Sequence, residues 1–145
     1  MKLFCYGVLL NEKTWARLGM SPKFLYPALL ENYKLVFDGQ SKIRGGGTAN
    51  VIKQEGGRVW GAVFEISEPD LKFLDEYEGV PQYYQRKEIL VNHTTHGAQS
   101  VVIYLRDGFL ETRPSSSYLE ELIEGAERCM LPPEYITKLK TLKDA

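Results

Sequence analysis

The 145 residues carry a net charge of −1, with 43% hydrophobic and 26% charged side chains, values that suit one globular domain, 1–145, able to bury its core without metal or disulfide. So small a charge offers no basic field to nucleic acid or to an anionic membrane surface. The apolar runs fall far short of a membrane span.

Met1 leads straight into Lys2-Leu3-Phe4-Cys5-Tyr6, a buried-strand pattern that ends at Gly7 and lacks the features of a signal peptide. The expected location is therefore the cytoplasm. Cys5 and Cys129, the two cysteines, sit among apolar residues and read as buried thiols of a reducing compartment. Asn92-His93-Thr94 matches a glycosylation acceptor, but without a secretion signal the match means little.

Asn11 is placed to cap a short helix through about Arg17, which Gly19 ends. Residues 28–37 read as a strand, and Gly45-Gly46-Gly47 as a loop or bulge before a short strand over 48–53. Gly56-Gly57 reads as a hairpin turn into an alternating strand over 58–66. Ser67 caps the next helix, with Pro69 and Asp70 suited to its first turn. On that helix Leu71, Leu74 and Tyr77 or Glu78 share a face, and Gly79 is the stop. Strands over 83–92 and 99–106 flank a polar turn at His96-Gly97. Ser116 or Ser117 starts a helix with Leu119, Leu122, Ile123 and Ala126 on one face, and Pro132-Pro133 open a last helix through about Leu142. Hairpin-length connections argue against a doubly wound parallel sheet. The expected class is α+β, a mostly antiparallel strand set with helices inserted and appended.

Three constellations could carry chemistry. In Tyr6-Gly7-Val8-Leu9 a glycine at a strand end lets backbone N–H groups turn toward a carboxylate or an oxyanion; a plain strand-ending turn is the alternative. Glu78 ends a helix, where the dipole disfavours a carboxylate, and lies on the apolar face. Both features raise its pKa and suit it to proton transfer near neutral pH; the alternative is an exposed side chain on a frayed end. Asp75 and Glu76 fall on the outer face and read as solvated charges. Tyr6, Tyr77, Tyr83, Tyr84, Tyr104 and Tyr118 can line a site or simply pack at the core edge. His93 and His96 lack ligand-spaced partners, so no metal is expected. No glycine-rich nucleotide loop or nucleophile elbow is present, and Cys5 has no evident His or Asn partner. No cofactor is expected.

Five stretches stand in order along nearly the whole chain. They are Tyr6-Gly7-Val8-Leu9, Val59-Trp60-Gly61-Ala62-Val63, Leu74-Asp75-Glu76-Tyr77-Glu78-Gly79-Val80, Pro114-Ser115-Ser116-Ser117-Tyr118, and Gly125-Ala126 with Leu131-Pro132-Pro133-Glu134-Tyr135. In that order and spacing they resemble the gamma-glutamylcyclotransferase family, which shares its fold with plant proteins named for avirulence-induced genes. Val8 departs from the pattern, which prefers Ser, Thr or a Ser-Asn pair; the backbone donor survives and a side-chain hydroxyl does not.

The resemblance implies a small, mostly antiparallel β-barrel with packed helices. It implies conversion of gamma-glutamyl compounds to 5-oxoproline with Glu78 as general acid/base. Tyr6, Gly7, Val8 and Leu9 would hold the substrate, and Tyr84, Tyr104 and Tyr118 would line its pocket. The C-terminal motifs look like the branch acting on free gamma-glutamyl amino acids rather than on glutathione. A gamma-glutamylamine or acyl-carrier substrate is the runner-up, and a binding module that keeps the pocket without chemistry is the rival of another class. The partner implied is a small molecule, and a homodimer is compatible with the sequence.

Overall fold

The structure, a computed structural model, describes residues 1–39, 45–108 and 110–144. Five strands, β1 (Lys2–Cys5), β2 (Lys23–Asp38), β3 (Thr48–Glu65), β4 (Gln85–His93) and β5 (Gly97–Leu105), close into a barrel in the order β1-β3-β2-β4-β5. Neighbours run antiparallel except where β1 meets β5 in parallel, at Leu3 opposite Val102. The expected mostly antiparallel barrel is what forms. Its helices are α1 (Glu12–Arg17), α2 (Glu68–Tyr77), α3 (Ser116–Arg128) and α4 (Pro133–Thr141). Among the described residues no helix is long and apolar enough to cross a membrane.

The local signals explain most of these boundaries. The Asn11 side chain accepts Lys13 N–H at the start of α1, Ser67 accepts Asp70 N–H at the start of α2, and Ser115 accepts Tyr118 N–H at the start of α3. Gly79, with φ +71°, supplies the left-handed residue after α2 that a β-carbon would strain.

Two strand assignments differ from the sequence reading. First, β2 begins at Lys23, five residues before the expected start, with a register shift between Phe24 and Tyr26 and with Pro27 in register opposite Ala62. Second, Gly56-Gly57 is not a hairpin turn. Residues 48–53 and 58–65 are two stretches of one strand, and both pair with β2. The four residues between them form a bulge opposite Asn32, whose Oδ1 accepts Gly56 N–H at 3.1 Å. A double glycine permits either geometry, and the pairing partner decides: β2 is long enough to hold both halves of β3. The hairpin is β2–β3 itself, closing where Asp38 faces Thr48. Gly47 donates to Arg113 O at 3.0 Å, so this end of the hairpin lies against the segment that leads into α3.

The barrel interior is filled by residues such as Leu30, Val51, Val59, Val63, Val91 and Ile103, all at most 1% exposed. Burial of each such side chain contributes roughly 1.5–3 kcal/mol. The inward face of α3 (Leu119, Leu122, Ile123, Ala126) is buried as its periodicity implies. That face packs on the short 3-10 turn Val8–Leu10, which joins β1 to α1. A β-carbon on Gly125 would stand 2.7 Å from Asn11 N and Leu10 C, so the helix reaches the turn's backbone only because residue 125 has no side chain. Trp15 Nε1 donates to Leu9 O at 2.6 Å and secures the same turn from the α1 side.

Candidate active site

β1 ends inside the barrel wall, and the chain then turns sharply through Gly7. The turn's own hydrogen bonds run from Leu10 N to Gly7 O (3.0 Å) and from Asn11 N to Val8 O (2.9 Å). Val8 and Leu9 are the central residues of the first of these turns, so its hydrogen bond does not use their N–H groups. The turn borders a cavity of about 700 Å³ whose walls come from β1, this turn, α1, the end of α2, the segment just ahead of β4, the end of β5, and the starts of β3 and α3.

All eight site residues expected from the sequence line this one cavity. Tyr6, Gly7, Val8 and Leu9 form one wall, Glu78 stands at the end of α2, and Tyr84, Tyr104 and Tyr118 enclose the interior. Tyr77 and Tyr83 line it too, each more than a third exposed.

Glu78 is the C-cap of α2 and is partly buried. Its backbone N–H donates to Leu74 O (2.8 Å) and its carbonyl accepts Tyr84 N–H (3.3 Å), so the backbone on both sides of the carboxylate is fixed. Loss of solvent pushes its pKa up to about 7, and the positive charge of Arg106 only partly offsets this. A carboxylate in that condition can take and return a proton at neutral pH.

The tyrosine hydroxyls are engaged with the frame. Tyr118 accepts Ala49 N–H at 2.8 Å, and Tyr84 donates to Ala49 O at 2.8 Å, so two cavity tyrosines grip the backbone of one residue of β3. Tyr6 donates to Tyr104 O, across the parallel seam. Burial is the first cause of the raised pKa of each, with that of Tyr84 near 12, so all stay protonated.

Asp75 corrects the sequence reading. It is no solvated charge: its Oδ1 accepts the Tyr104 hydroxyl at 2.6 Å, and its Oδ2 pairs with Arg86 Nη1 at 2.9 Å. Helical spacing places Asp75 off the Leu71–Leu74 stripe, but the flank it occupies faces β4 and β5 rather than water. Glu76 is exposed, as expected.

The sequence reading also passed over Thr48 and Ala49, which line the cavity, and Asp38, Asn50 and Arg106, which are buried behind it. The available signal was a charge at the end of each of two apolar strands, Asp38 after Phe37 and Arg106 after Leu105. Their pairing depends on a barrel topology that local patterns do not supply. The thiols of Cys5 and Cys129 are free and buried, as expected. His93 and His96 lie with ring centroids 4.5 Å apart and planes tilted by 46°, at the β4–β5 turn. Among the described residues no three His, Cys, Asp or Glu side chains gather closely enough to hold a metal ion.

Residues 58–139 match the AIG2-like family. Human gamma-glutamylcyclotransferase is 32% identical over 97% of this chain and 77% of its own length. The chain belongs to the gamma-glutamylcyclotransferase family. That membership makes it an enzyme of the cyclotransferase class. A solved structure of a gamma-glutamyl cyclotransferase superposes with a TM-score of 0.91 at 30% identity, covering 97% of this chain and 86% of that one. Bovine gamma-glutamylaminecyclotransferase is 40% identical over a shorter stretch of 62 residues, 43% of this chain and 35% of that protein.

Proposed function

We propose that this member of the gamma-glutamylcyclotransferase family converts gamma-glutamyl amino acids, or gamma-glutamyl amines, to 5-oxoproline and the free amino acid or amine, with Glu78 as general acid/base. The observation that carries this reading is that the Glu78 carboxylate shares one cavity with the Tyr6–Leu9 turn, in surroundings where burial pushes its pKa up to about 7.

Nucleophile and electrophile belong to one substrate molecule, so the enzyme's first task is to hold it folded with the α-amino group against the γ-carbonyl. Ionised Glu78 takes a proton from the α-ammonium group. The freed amine adds to the γ-carbonyl carbon, and the N–H groups of Val8 and Leu9 face the oxygen as it gains charge. Protonated Glu78 then gives its proton to the departing nitrogen, the C–N bond to the leaving group breaks, and the five-membered lactam is released. Before release, the second hydrogen of the ring nitrogen passes through the re-ionised Glu78 carboxylate to the departing amine, so both protons given up by the α-ammonium group end on the leaving nitrogen. Tyr84, Tyr104 and Tyr118 shape the site and exclude water. The cytoplasm is the proposed compartment.

The test is incubation of the protein with a panel of gamma-glutamyl amino acids, a gamma-glutamyl alkylamine and glutathione, with 5-oxoproline quantified by mass spectrometry. Formation from at least one compound, and none by Glu78→Gln, is the expected result. A parent protein that binds these compounds without turning any over would leave only a binding module.

A further inference from the structure

Behind the cavity, the ends of β2 and β5 and the start of β3 are tied by a buried polar cluster. Arg106 is 3% exposed, Asp38 1% and Asn50 0%. Arg106 Nη2 pairs with the Asp38 carboxylate and also donates to Asp38 O (2.8 Å), Thr48 Oγ1 (2.7 Å) and Thr48 O (3.3 Å). The Asn50 amide donates to Asp38 Oδ2 (3.1 Å) and Arg106 O (2.9 Å) while its oxygen accepts Arg106 N–H (3.1 Å). The guanidinium carbon lies 4.3 Å from the Tyr84 ring centroid and 4.6 Å from that of Tyr83. The two rings meet edge to face at 5.2 Å. Both rings, and Thr48, line the cavity that holds Glu78, whereas Arg106 does not.

We propose that Arg106 is a positioning residue of the reaction. It holds the Tyr83–Tyr84 wall in place through its ring contacts, and it sets a fixed positive charge on the far side of that wall from the cavity that holds Glu78. The inference rests on the role proposed for Glu78 and adds to it a residue that never touches the substrate.

Two physical points support it. Burying an ion pair is costly, and hydrophobic replacement is often neutral or stabilising, so stability alone is a weak reason to build one here. Second, among the described residues the titratable groups whose charge is felt at or from Glu78 include Cys5 and Tyr6 at the end of β1, Tyr84 ahead of β4, Tyr104 on β5, Tyr118 on α3, and Arg106. Burial raises the pKa of every thiol and phenol in that set, so all are neutral near pH 7. Among these groups Arg106 is the one that carries charge when Glu78 titrates, and it favours the carboxylate. Arginine suits both duties, since its flat guanidinium stacks on rings as a lysine ammonium does not.

Two variants separate charge from stacking, read by a carboxyl-carbon NMR titration of Glu78 and by steady-state kinetics. Asp38→Asn with Arg106→Gln removes both charges together and leaves no lone buried ion. Its Glu78 midpoint should rise by about one pH unit, with kcat/KM depressed more at pH 6.5 than at pH 8.5. Arg106→Lys keeps the charge, so the Glu78 midpoint should hold while KM rises several-fold as the tyrosine wall loosens. A folded double variant with the parent Glu78 midpoint, or Arg106→Lys with the parent KM, overturns the proposal. The NMR midpoint is read without turnover, so it tests Arg106 even if the proposed reaction fails, and that failure shows separately as a parent protein that forms no 5-oxoproline.

Discussion

The Tyr104 hydroxyl donates to Asp75 Oδ1 at 2.6 Å, and Asp75 sits three residues before Glu78 on the last turn of α2. Asp75 O also accepts Val80 N–H at 2.9 Å. One residue thus ties β5, through Tyr104, and β4, through Arg86, to the turn that carries the proposed acid/base.

Asp75→Ala breaks both ties. It leaves the buried Tyr104 hydroxyl with only a long contact to Leu71 O at 3.4 Å. The expected cost is about 1–3 kcal/mol, read from urea unfolding, with a fall in kcat as Glu78 loses its anchorage. Asp75→Asn retains an acceptor for Tyr104 and gives up only the half-exposed pair with Arg86, so it should lose less than about 1 kcal/mol. Equal stability of the alanine variant and the parent would show the link to be idle.

Glu78→Gln keeps the size of the side chain and removes proton transfer. General acid/base catalysis is worth about 10²- to 10⁴-fold, and kcat should fall by at least that range. Glu76→Gln, on the exposed side of the same turn, should turn over like the parent. Comparable losses in the two variants would shift the cause from chemistry to the helix.

The pH dependence follows from the raised pKa. Activity needs ionised Glu78, so kcat/KM should increase as pH rises through about 7. Stability moves the opposite way. The folded-state pKa lies above the ordinary carboxylate value, so the protonated form stabilises the fold fully below that ordinary value, and the benefit is lost as pH rises through about 7. Glu78→Gln should therefore match the parent near pH 4 and exceed it by about 1–3 kcal/mol at pH 8. Melting curves of the pair at the two pH values check the sign; a parent more stable than the variant at pH 8 would contradict it.

Local chemistry made the helices legible. Asn11 and Ser67 satisfy N–H groups close to them in sequence, as does Ser115, one residue ahead of the expected Ser116 or Ser117 start, and Leu119, Leu122, Ile123 and Ala126 repeat at helical spacing, so each signal lies within one element. The cavity-lining residues were legible through motif order, since Tyr6 and Glu78 lie far apart in sequence and no local pattern joins them. What escaped depends on pairing. Gly56-Gly57 looks like a hairpin until β2 is known to run past it. Asp75 looks solvated until β4 and β5 are known to lie on its side of α2. Asp38 and Arg106 stand 68 residues apart and meet only because the barrel closes.

Gly125 tests how the turn is held. A β-carbon there meets Asn11 N and Leu10 C at 2.7 Å, both backbone atoms that cannot step aside alone. Gly125→Ala must lift α3 off the turn, at a cost of about 1–3 kcal/mol, and it should raise KM by moving the Val8 and Leu9 donors. An alanine variant with parent stability and KM would show the turn to be placed by other contacts, such as Trp15 to Leu9 O.

Tyr118→Phe separates two roles of one hydroxyl. That hydroxyl accepts Ala49 N–H at 2.8 Å and stands 3.5 Å from where a Gly7 β-carbon would be, so it lies between the β3 backbone and the proposed substrate-binding turn. Phenylalanine keeps the ring, which packs edge-on to Phe37, but it strands the Ala49 N–H in a buried place. Stability should therefore fall by about 1–3 kcal/mol while the protein stays folded. The effect on the substrate is independent of that loss. If the hydroxyl also bonds a charged group of the substrate, KM should rise about 10- to 100-fold, the equivalent of roughly 1.5–3 kcal/mol, with kcat little changed because Glu78 is untouched. Lower stability with an unchanged KM would make Tyr118 a support of the β3 peptide alone, and the substrate's charged group would then have to be held by the turn opposite.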